Sequence, residues 1–96
     1  NMPLQILSEL PPEPEEMKVL IKRRIEENIL NSDVNVSAGG PGHFEITVES
    51  TEFEGLSRVK QQQLVYSAIS NLMSGENPPV HAVDRMVTKI PSNSDG

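Results

Sequence analysis

The sequence has no cysteine, and this absence excludes several kinds of chemistry. A chain without cysteine forms no disulfide, carries no thiol nucleophile and cannot supply the four thiolates of an all-cysteine metal or cluster site. The absence fits a reducing compartment, and we expect a cytoplasmic protein. The side chains that remain as nitrogen ligands for a transition metal are two histidines, His43 and His81.

Aromatic residues and long apolar runs are also scarce. The 96 residues include no tryptophan, one tyrosine and two phenylalanines, so aliphatic side chains and methionine must fill the core of a single domain. Few rings are available to stack on bases, and no apolar run is long enough to cross a bilayer. The first residues carry acids and prolines rather than a basic targeting pattern. We expect a flexible leader over residues 1–13, a domain over residues 14–90 and a disordered tail over residues 91–96.

Basic residues are fewer than acidic residues in this chain. Fourteen acidic and eight basic residues give a formal net charge of −6. An acidic chain repels the phosphate backbone on average, so any binding to nucleic acid would require a local basic patch.

Two segments show the apolar spacing of amphipathic helices. The first begins near Pro14, whose fixed φ suits the first helical turn, and ends at the turn residues 31–33. The second begins at Ser57, a residue type favoured at the N-cap, and extends to Met73. The apolar positions are Met17, Leu20, Ile21, Ile25 and Ile29 in the first helix, and Val65, Ile69, Leu72 and Met73 in the second.

Three other segments predict strands. The alternating apolar residues are Val34 and Val36 in the first strand, and Phe44, Ile46 and Val48 in the second. The third strand runs from Val80 to about Ile90, although Asp84 and Arg85 interrupt its alternation. The order helix–strand–strand–helix–strand predicts an α+β fold, with a three-stranded mixed sheet and both helices on one face. Strands two and three should be parallel neighbours, because a strand–helix–strand crossover favours that pairing.

Residues 53–66 read F-E-G-L-S-R-V-K-Q-Q-Q-L-V-Y, which resembles the signature F-x-G-x-S-R-V-x-x-Q-Q-x-V-Y of the BolA family, in particular of its IbaG-like subgroup. Gly42-His43-Phe44 upstream and Val80-His81-Ala82-Val83 downstream match the same family in the same order. The resemblance covers about residues 16–90 and implies the family's KH-like fold. It also implies a non-enzymatic adaptor that binds a monothiol glutaredoxin and shares a [2Fe–2S] cluster with it, in iron–sulfur cluster trafficking or iron regulation. The isolated protein would hold no cluster, and a weak homodimer is compatible with the resemblance.

Within that resemblance, His81 is the strongest candidate for a ligand of the cluster and His43 is the second, since imidazole suits iron. From the residues alone, His81 could equally be a histidine satisfied at a sheet edge, and His43 could cap its strand or bond to a backbone group. A [2Fe–2S] cluster needs four ligands, so the thiolates would come from a glutaredoxin cysteine and from glutathione. The connection 38–42 lacks the cysteine or additional histidine that some members carry there.

The second helix opens with a basic and amide-rich group, formed by Arg58, Lys60, Gln61 and Gln62. This group has two interpretations: a surface for a protein partner, or a recognition helix, because Arg and Gln can bind guanine and adenine edges. The second interpretation keeps a DNA-binding, stress-response transcriptional regulator as the alternative function. Gly39-x-x-Gly42 matches the backbone-clamping loop of KH domains, but it lies between two strands rather than two helices and therefore predicts a turn.

No arrangement typical of an enzyme is present in the sequence. Ser57 and Ser67 have no histidine–acid relay at a recognisable spacing, and phosphate-binding and dinucleotide-binding motifs are missing. Strand alternation places Glu45 and Glu49 on a solvent-facing surface. We therefore predict a protein without catalytic activity.

Overall fold

Two helices cover one face of a three-stranded sheet, which confirms the α+β fold class and the predicted order of elements. The computed structural model describes residues 12–92. The expected leader and tail lie almost entirely outside the described residues, and both expectations stay predictions. The helices and strands are α1 (Pro14–Asn28), β1 (Ser32–Gly40), β2 (His43–Ser50), α2 (Arg58–Ala68) and β3 (Ala82–Lys89).

Helix α1 begins where the sequence predicts. Pro14 occupies the first helical turn, and the backbone N–H of Glu13 donates to the Glu16 carboxylate at 3.4 Å in a capping box. Met17, Ile21 and Ile25 are buried at 3% exposure or less, so the apolar stripe packs on the sheet. The helix ends at Asn28, and the positive φ of Asn31 turns the chain into β1.

Helix α2 is shorter than predicted. Its N-cap is Ser57, whose hydroxyl accepts from the Lys60 N–H at 3.2 Å, but the helix ends at Ala68 rather than Met73. The hydroxyl of Ser70 donates to the Ser67 carbonyl, and the chain tightens into a 3₁₀ turn over Ser70–Leu72. Leu72 is still buried, so the apolar pattern remains correct where the helical geometry changes.

The strands pair as the order of elements predicts. β1 pairs antiparallel with β2, β2 pairs parallel with β3, and β2 is central. β1 extends through Gly40, so most of the connection 38–42 is strand, and only a two-residue turn at Pro41-Gly42 remains between β1 and β2. β3 begins at Ala82 rather than Val80, because the Val80 N–H bonds instead to the Leu72 carbonyl at 3.0 Å.

The irregular alternation of β3 results from a β-bulge. Val83 pairs with Phe44 and Arg85 pairs with Glu45, which leaves Asp84 as an extra residue between them. A second irregularity leaves Gly39 as an extra residue in β1, between the pairs that β1 forms with Phe44 and His43. Both bulges therefore flank the first residues of β2.

One hydrophobic core lies between the helices and the sheet. Its buried members are Met17, Ile21, Ile25, Ile29, Val34, Phe44, Ile46, Val48, Phe53, Val65, Ile69, Leu72 and Val80. The opposite face of the sheet is polar, with Glu45 opposite Arg85 and Glu49 opposite Lys89 across β2 and β3. The inner face therefore holds the helices and the outer face meets solvent.

The structure corrects the predicted position of Gln61. Its place in the basic and amide-rich group predicts an exposed side chain, but Gln61 is 8% exposed and lies one helical turn before the buried Val65. Its amide donates to the Leu56 carbonyl at 2.9 Å, and its carbonyl accepts from the Thr88 hydroxyl at 2.7 Å. Gln61 therefore ties α2 to β3 and to the turn before the helix.

We expect Gln61→Ala to lower the free energy of unfolding by about 1–3 kcal/mol, because it leaves the Thr88 hydroxyl and a carbonyl without their partner. The matched control is Gln63→Ala, an exposed glutamine on the same helix, which should change stability by about 0.5 kcal/mol or less. Urea unfolding measures both variants. Equal effects would contradict the buried position of Gln61.

Candidate functional site

The two histidines of the chain lie together where β2 and β3 begin. Parallel strands start at the same edge of a sheet, and His43 is in register with Ala82, the residue after His81. The two imidazole ring centres are 6.5 Å apart with an angle of 66° between the ring planes, and both residues are exposed. We call this group the histidine edge and include Asp84, which contacts His43.

The backbone fixes His81 from both sides. Its N–H donates to the Gly42 carbonyl at 2.8 Å, and the N–H of Ala82 donates to the same oxygen at 3.1 Å. The preceding residue, Val80, is 1% exposed, and its N–H donates to the Leu72 carbonyl in the 3₁₀ turn that follows α2. His81 therefore stands between an anchored core residue and an anchored strand, with its side chain at the surface.

Gly42 packs directly beneath the His81 ring. Its φ is +77°, a left-handed conformation that favours glycine. A Cβ at this position would lie 2.8 Å from Cγ of His81, closer than atoms can approach without movement. The turn thus requires glycine for two separate reasons, the backbone conformation and the contact with the imidazole.

His43 lies on the face opposite Phe44, as strand alternation predicts. Phe44 is 1% exposed in the core, whereas the His43 side chain is 46% exposed. Nδ1 of His43 lies 3.1 Å from Oδ1 of Asp84, a carboxylate that is itself 47% exposed. In the sequence, Asp84 is recognisable only as an interruption of the alternation of β3. The signal that could have identified it is an acidic residue that adds one position to an otherwise regular strand.

The histidine edge can provide part of a metal site but not a whole one. In the described part of the chain, no three His, Asp or Glu side chains are grouped so that they could hold a metal ion. Two imidazoles bound at about 2 Å to one tetrahedral metal would have ring centres about 5 Å apart. The observed separation of 6.5 Å is wider, so the two rings would have to approach each other to bind a single metal atom. The donors fit an iron cluster that receives its other ligands from elsewhere.

The other predicted site residues do not form one surface. Arg58 and Lys60 are exposed at the start of α2 and form no ion pair within residues 12–92. Gln61 is buried, and the amide of Gln62 donates to the Met86 carbonyl at 3.3 Å. The predicted group thus consists of an exposed cationic pair, Arg58 and Lys60, and two glutamines whose side chains form hydrogen bonds to β3.

The G-x-x-G segment lies in a hairpin, as predicted from its position. Gly39 belongs to β1 and Gly42 to the turn before β2. Two shallow depressions, of about 220 and 260 Å³, lie elsewhere along β1, and no histidine lines either of them. No helix among the described residues has the length and apolar character needed to cross a membrane.

Comparisons with known proteins point to one family. The family model described as "BolA-like protein" matches residues 15–92. BolA-like protein 1 from Mus musculus is 42% identical over 48 residues, which are 50% of this chain and 33% of the mouse protein. The matched segment thus spans about a third of the length of that curated relative.

Two solved structures from Arabidopsis thaliana resemble the fold. BolA1 superposes with a TM-score of 0.65 at 22% identity, over 79% of this chain and 93% of that chain. The BolA domain of SufE1 gives a TM-score of 0.67 at 23% identity, over 78% of this chain and 92% of that chain. At these identities the two structures show a shared fold.

We expect Gly42→Ala to displace the His81 ring as well as strain the turn. The matched control is Gly55→Ala, because Gly55 has a φ of +80° and no atom near the position of a Cβ. Both variants should lose about 1–2 kcal/mol of stability from the left-handed backbone. Only Gly42→Ala should move the NMR signals of the His81 ring, and equal shifts in both variants would contradict the contact.

Proposed function

Because this chain belongs to the BolA-like family, we propose that it is a non-enzymatic adaptor that binds a monothiol glutaredoxin and shares a [2Fe–2S] cluster with it. The observation that carries the proposal is the histidine edge. Two exposed imidazoles, far apart in sequence, lie with ring centres 6.5 Å apart on the same edge of the sheet. Such an arrangement presents two nitrogen ligands outward to a second molecule.

The lack of cysteine thiolates is the reason that this proposal requires a partner. A [2Fe–2S] cluster has four ligand positions, and two histidines fill at most two of them. The other positions would be filled by a glutaredoxin cysteine and by the thiol of glutathione. Replacement of thiolate by imidazole raises the reduction potential of such clusters, so the shared cluster would be easier to reduce than one held by thiolates alone.

The exposed cations of α2 are a candidate docking surface for the glutaredoxin. Arg58 and Lys60 are both exposed and place two positive charges in the first turn of α2, in a chain whose net charge is negative. Opposite charges on a partner would steer its approach and fix its orientation. We assign the cluster contact to the histidine edge and the electrostatic contact to this pair.

The finer assignments follow from the same proposal. A cytoplasmic, IbaG-like adaptor in iron–sulfur cluster trafficking or iron regulation is compatible with the absence of cysteine and with the signature over residues 53–66. The alternative, a DNA-binding stress-response regulator, has less support from the structure. Gln61 is turned into the core, and the acidic residues Glu52 and Glu54 are exposed just before the helix that would enter a groove.

Mixing the protein anaerobically with a cluster-loaded monothiol glutaredoxin should change the visible absorption and circular dichroism of the cluster. His81→Ala should abolish that change, because the cluster loses an imidazole ligand, while binding of the cluster-free glutaredoxin changes less than about threefold, or 0.7 kcal/mol. His43→Ala should reduce the change.

The matched control for these variants is Lys89→Ala, an exposed substitution at the opposite end of β3. It should leave both spectra and complex formation unchanged. An unaltered spectrum with the wild-type chain, together with no complex on gel filtration, would contradict the proposed function.

The double substitution Arg58→Glu and Lys60→Glu should weaken binding to the glutaredoxin about tenfold, a loss of about 1.4 kcal/mol, because it reverses the charge of the docking patch. The control is Arg23→Glu with Lys89→Glu, two exposed cations on α1 and β3. Titration at two salt concentrations measures both pairs. DNA binding that falls with salt and is lost only in the first pair would favour the alternative function instead.

A further inference from the structure

We propose that Asp84 is a positioning residue that accepts a hydrogen bond from Nδ1–H of His43 and thereby makes Nε2 the nitrogen that faces a ligand site. This inference rests on the proposed function for the identity of the metal group. The hydrogen bond itself concerns residues of this chain alone.

The contact is specific in its geometry. Nδ1 of His43 and Oδ1 of Asp84 are 3.1 Å apart, within the range of a charge-assisted or neutral N–H···O bond. The other carboxylate oxygen, Oδ2, lies 3.9 Å from where a Cβ on Gly39 would be. The carboxylate therefore sits between the first residue of β2 and the bulge of β1, next to a residue without a side chain.

The bulge in β3 brings Asp84 to this position. His43 is in register with Ala82, and Asp84 follows Ala82 by two residues, so their side chains lie on the same face. Without the extra residue, Asp84 would pair with Glu45, and two like charges would stand directly opposite each other. Because of the bulge, Arg85 pairs with Glu45 instead, and the Asp84 carboxylate contacts the His43 imidazole.

The acceptor determines which nitrogen of His43 carries the proton. An ionised carboxylate has no hydrogen to donate, so a neutral imidazole bonded to it must be protonated on Nδ1. The lone pair then resides on Nε2, which is the atom available to a metal. A carboxylate behind a ligating histidine also fixes the ring orientation and increases the basicity of the ligand.

This arrangement makes the two histidines different. His43 is held through its ring by Asp84, whereas His81 is held through its backbone N–H and by the contact of its ring with Gly42. Each histidine thus has its own support. The support of His81 comes from Gly42 in the turn between β1 and β2, a turn that supplies no sulfur or imidazole ligand itself.

The first test uses the cluster-free protein. Two-bond ¹H–¹⁵N NMR spectra at about pH 8.5, where free imidazole is neutral, report which nitrogen of each ring is protonated. Free histidine favours Nε2–H, so we expect His43 to show the opposite form, Nδ1–H, in the wild type. Asp84→Asn should weaken this preference, because its amide N–H can donate to Nδ1 just as its oxygen can accept from Nδ1–H. Asp84→Ala should return His43 to Nε2–H, whereas the matched control Asp33→Ala, an exposed aspartate on β1, should have no effect.

The second test uses the complex with the cluster-loaded glutaredoxin. Asp84→Ala should increase the rate of cluster loss about tenfold, the lower end of the effect of removing a carboxylate that supports a ligating histidine, because Asp84 is half exposed. Asp84→Asn should give a lifetime between those of the wild type and Asp84→Ala, because its amide can either accept from Nδ1–H or donate to Nδ1. Pulsed EPR of the reduced cluster should show a weaker imidazole nitrogen coupling in Asp84→Ala, with unchanged binding of the cluster-free glutaredoxin.

The outcomes separate the two proposals. A wild-type His43 protonated on Nε2, or a tautomer and cluster lifetime that Asp84→Ala leaves unchanged, would overturn the role of Asp84 while the complex still forms. A wild-type chain that never takes up a share of the cluster would reject the proposed function and with it the ligand role of His43. Loss of the Nδ1–H form together with faster cluster loss supports the inference.

Discussion

Two backbone hydrogen bonds to the Gly42 carbonyl hold the beginning of β3 against the turn before β2, and the placement of the two histidines depends on them. One oxygen accepts from both His81 and Ala82, and these bonds join the turn before β2 to the beginning of β3. They set the register in which β2 and β3 run parallel and hence the separation of the two histidines. A site formed from residues 38 positions apart therefore depends on a backbone contact that involves neither imidazole ring.

The surrounding sequence supports that contact at several levels. Glycine at position 42 permits both the left-handed turn and the close approach of the His81 ring. On the other side, Val80 anchors the chain in the core immediately before His81 emerges. At the far end of β3, Gln61 connects Thr88 to the start of α2, so the strand that carries the site is tied to the helix at its opposite end. The exposed edge is thus built on a strand that is fixed along its length.

Much of the fold could be predicted from apolar periodicity. The alternation of β2 identifies its buried residues, and the stripe of α1 does so except at Leu20, which is only partly buried. The strand–helix–strand order is enough to predict the parallel pair. The end of α2 could not be predicted in this way, because Leu72 is apolar and buried in either a long helix or a 3₁₀ turn. Periodicity reports which residues face the core and is less sensitive to the exact backbone hydrogen bonds that bring them there.

Within the candidate site, some residues could likewise be predicted from the sequence, whereas others required the three-dimensional contacts. His43 and His81 could be selected from the residue types and the family resemblance, and the parallel register that brings them together follows from topology. Gln61 was misplaced because a glutamine is usually exposed, and only the three-dimensional positions of Thr88 and Leu56 show that a buried amide is satisfied there. The interrupted alternation at Asp84 indicates an irregular strand, but only the bulged register shows that its carboxylate is a neighbour of His43.

The two-residue hairpin has a consequence for how such an edge could change over evolution. With only Pro41-Gly42 between β1 and β2, the chain has no slack with which to adjust the position of His43 independently of the sheet. An insertion in this hairpin would loosen the tie between β1 and His43 and leave the pairing of His43 with Ala82 as its main restraint. Hairpin length would then affect the spacing of the two imidazoles.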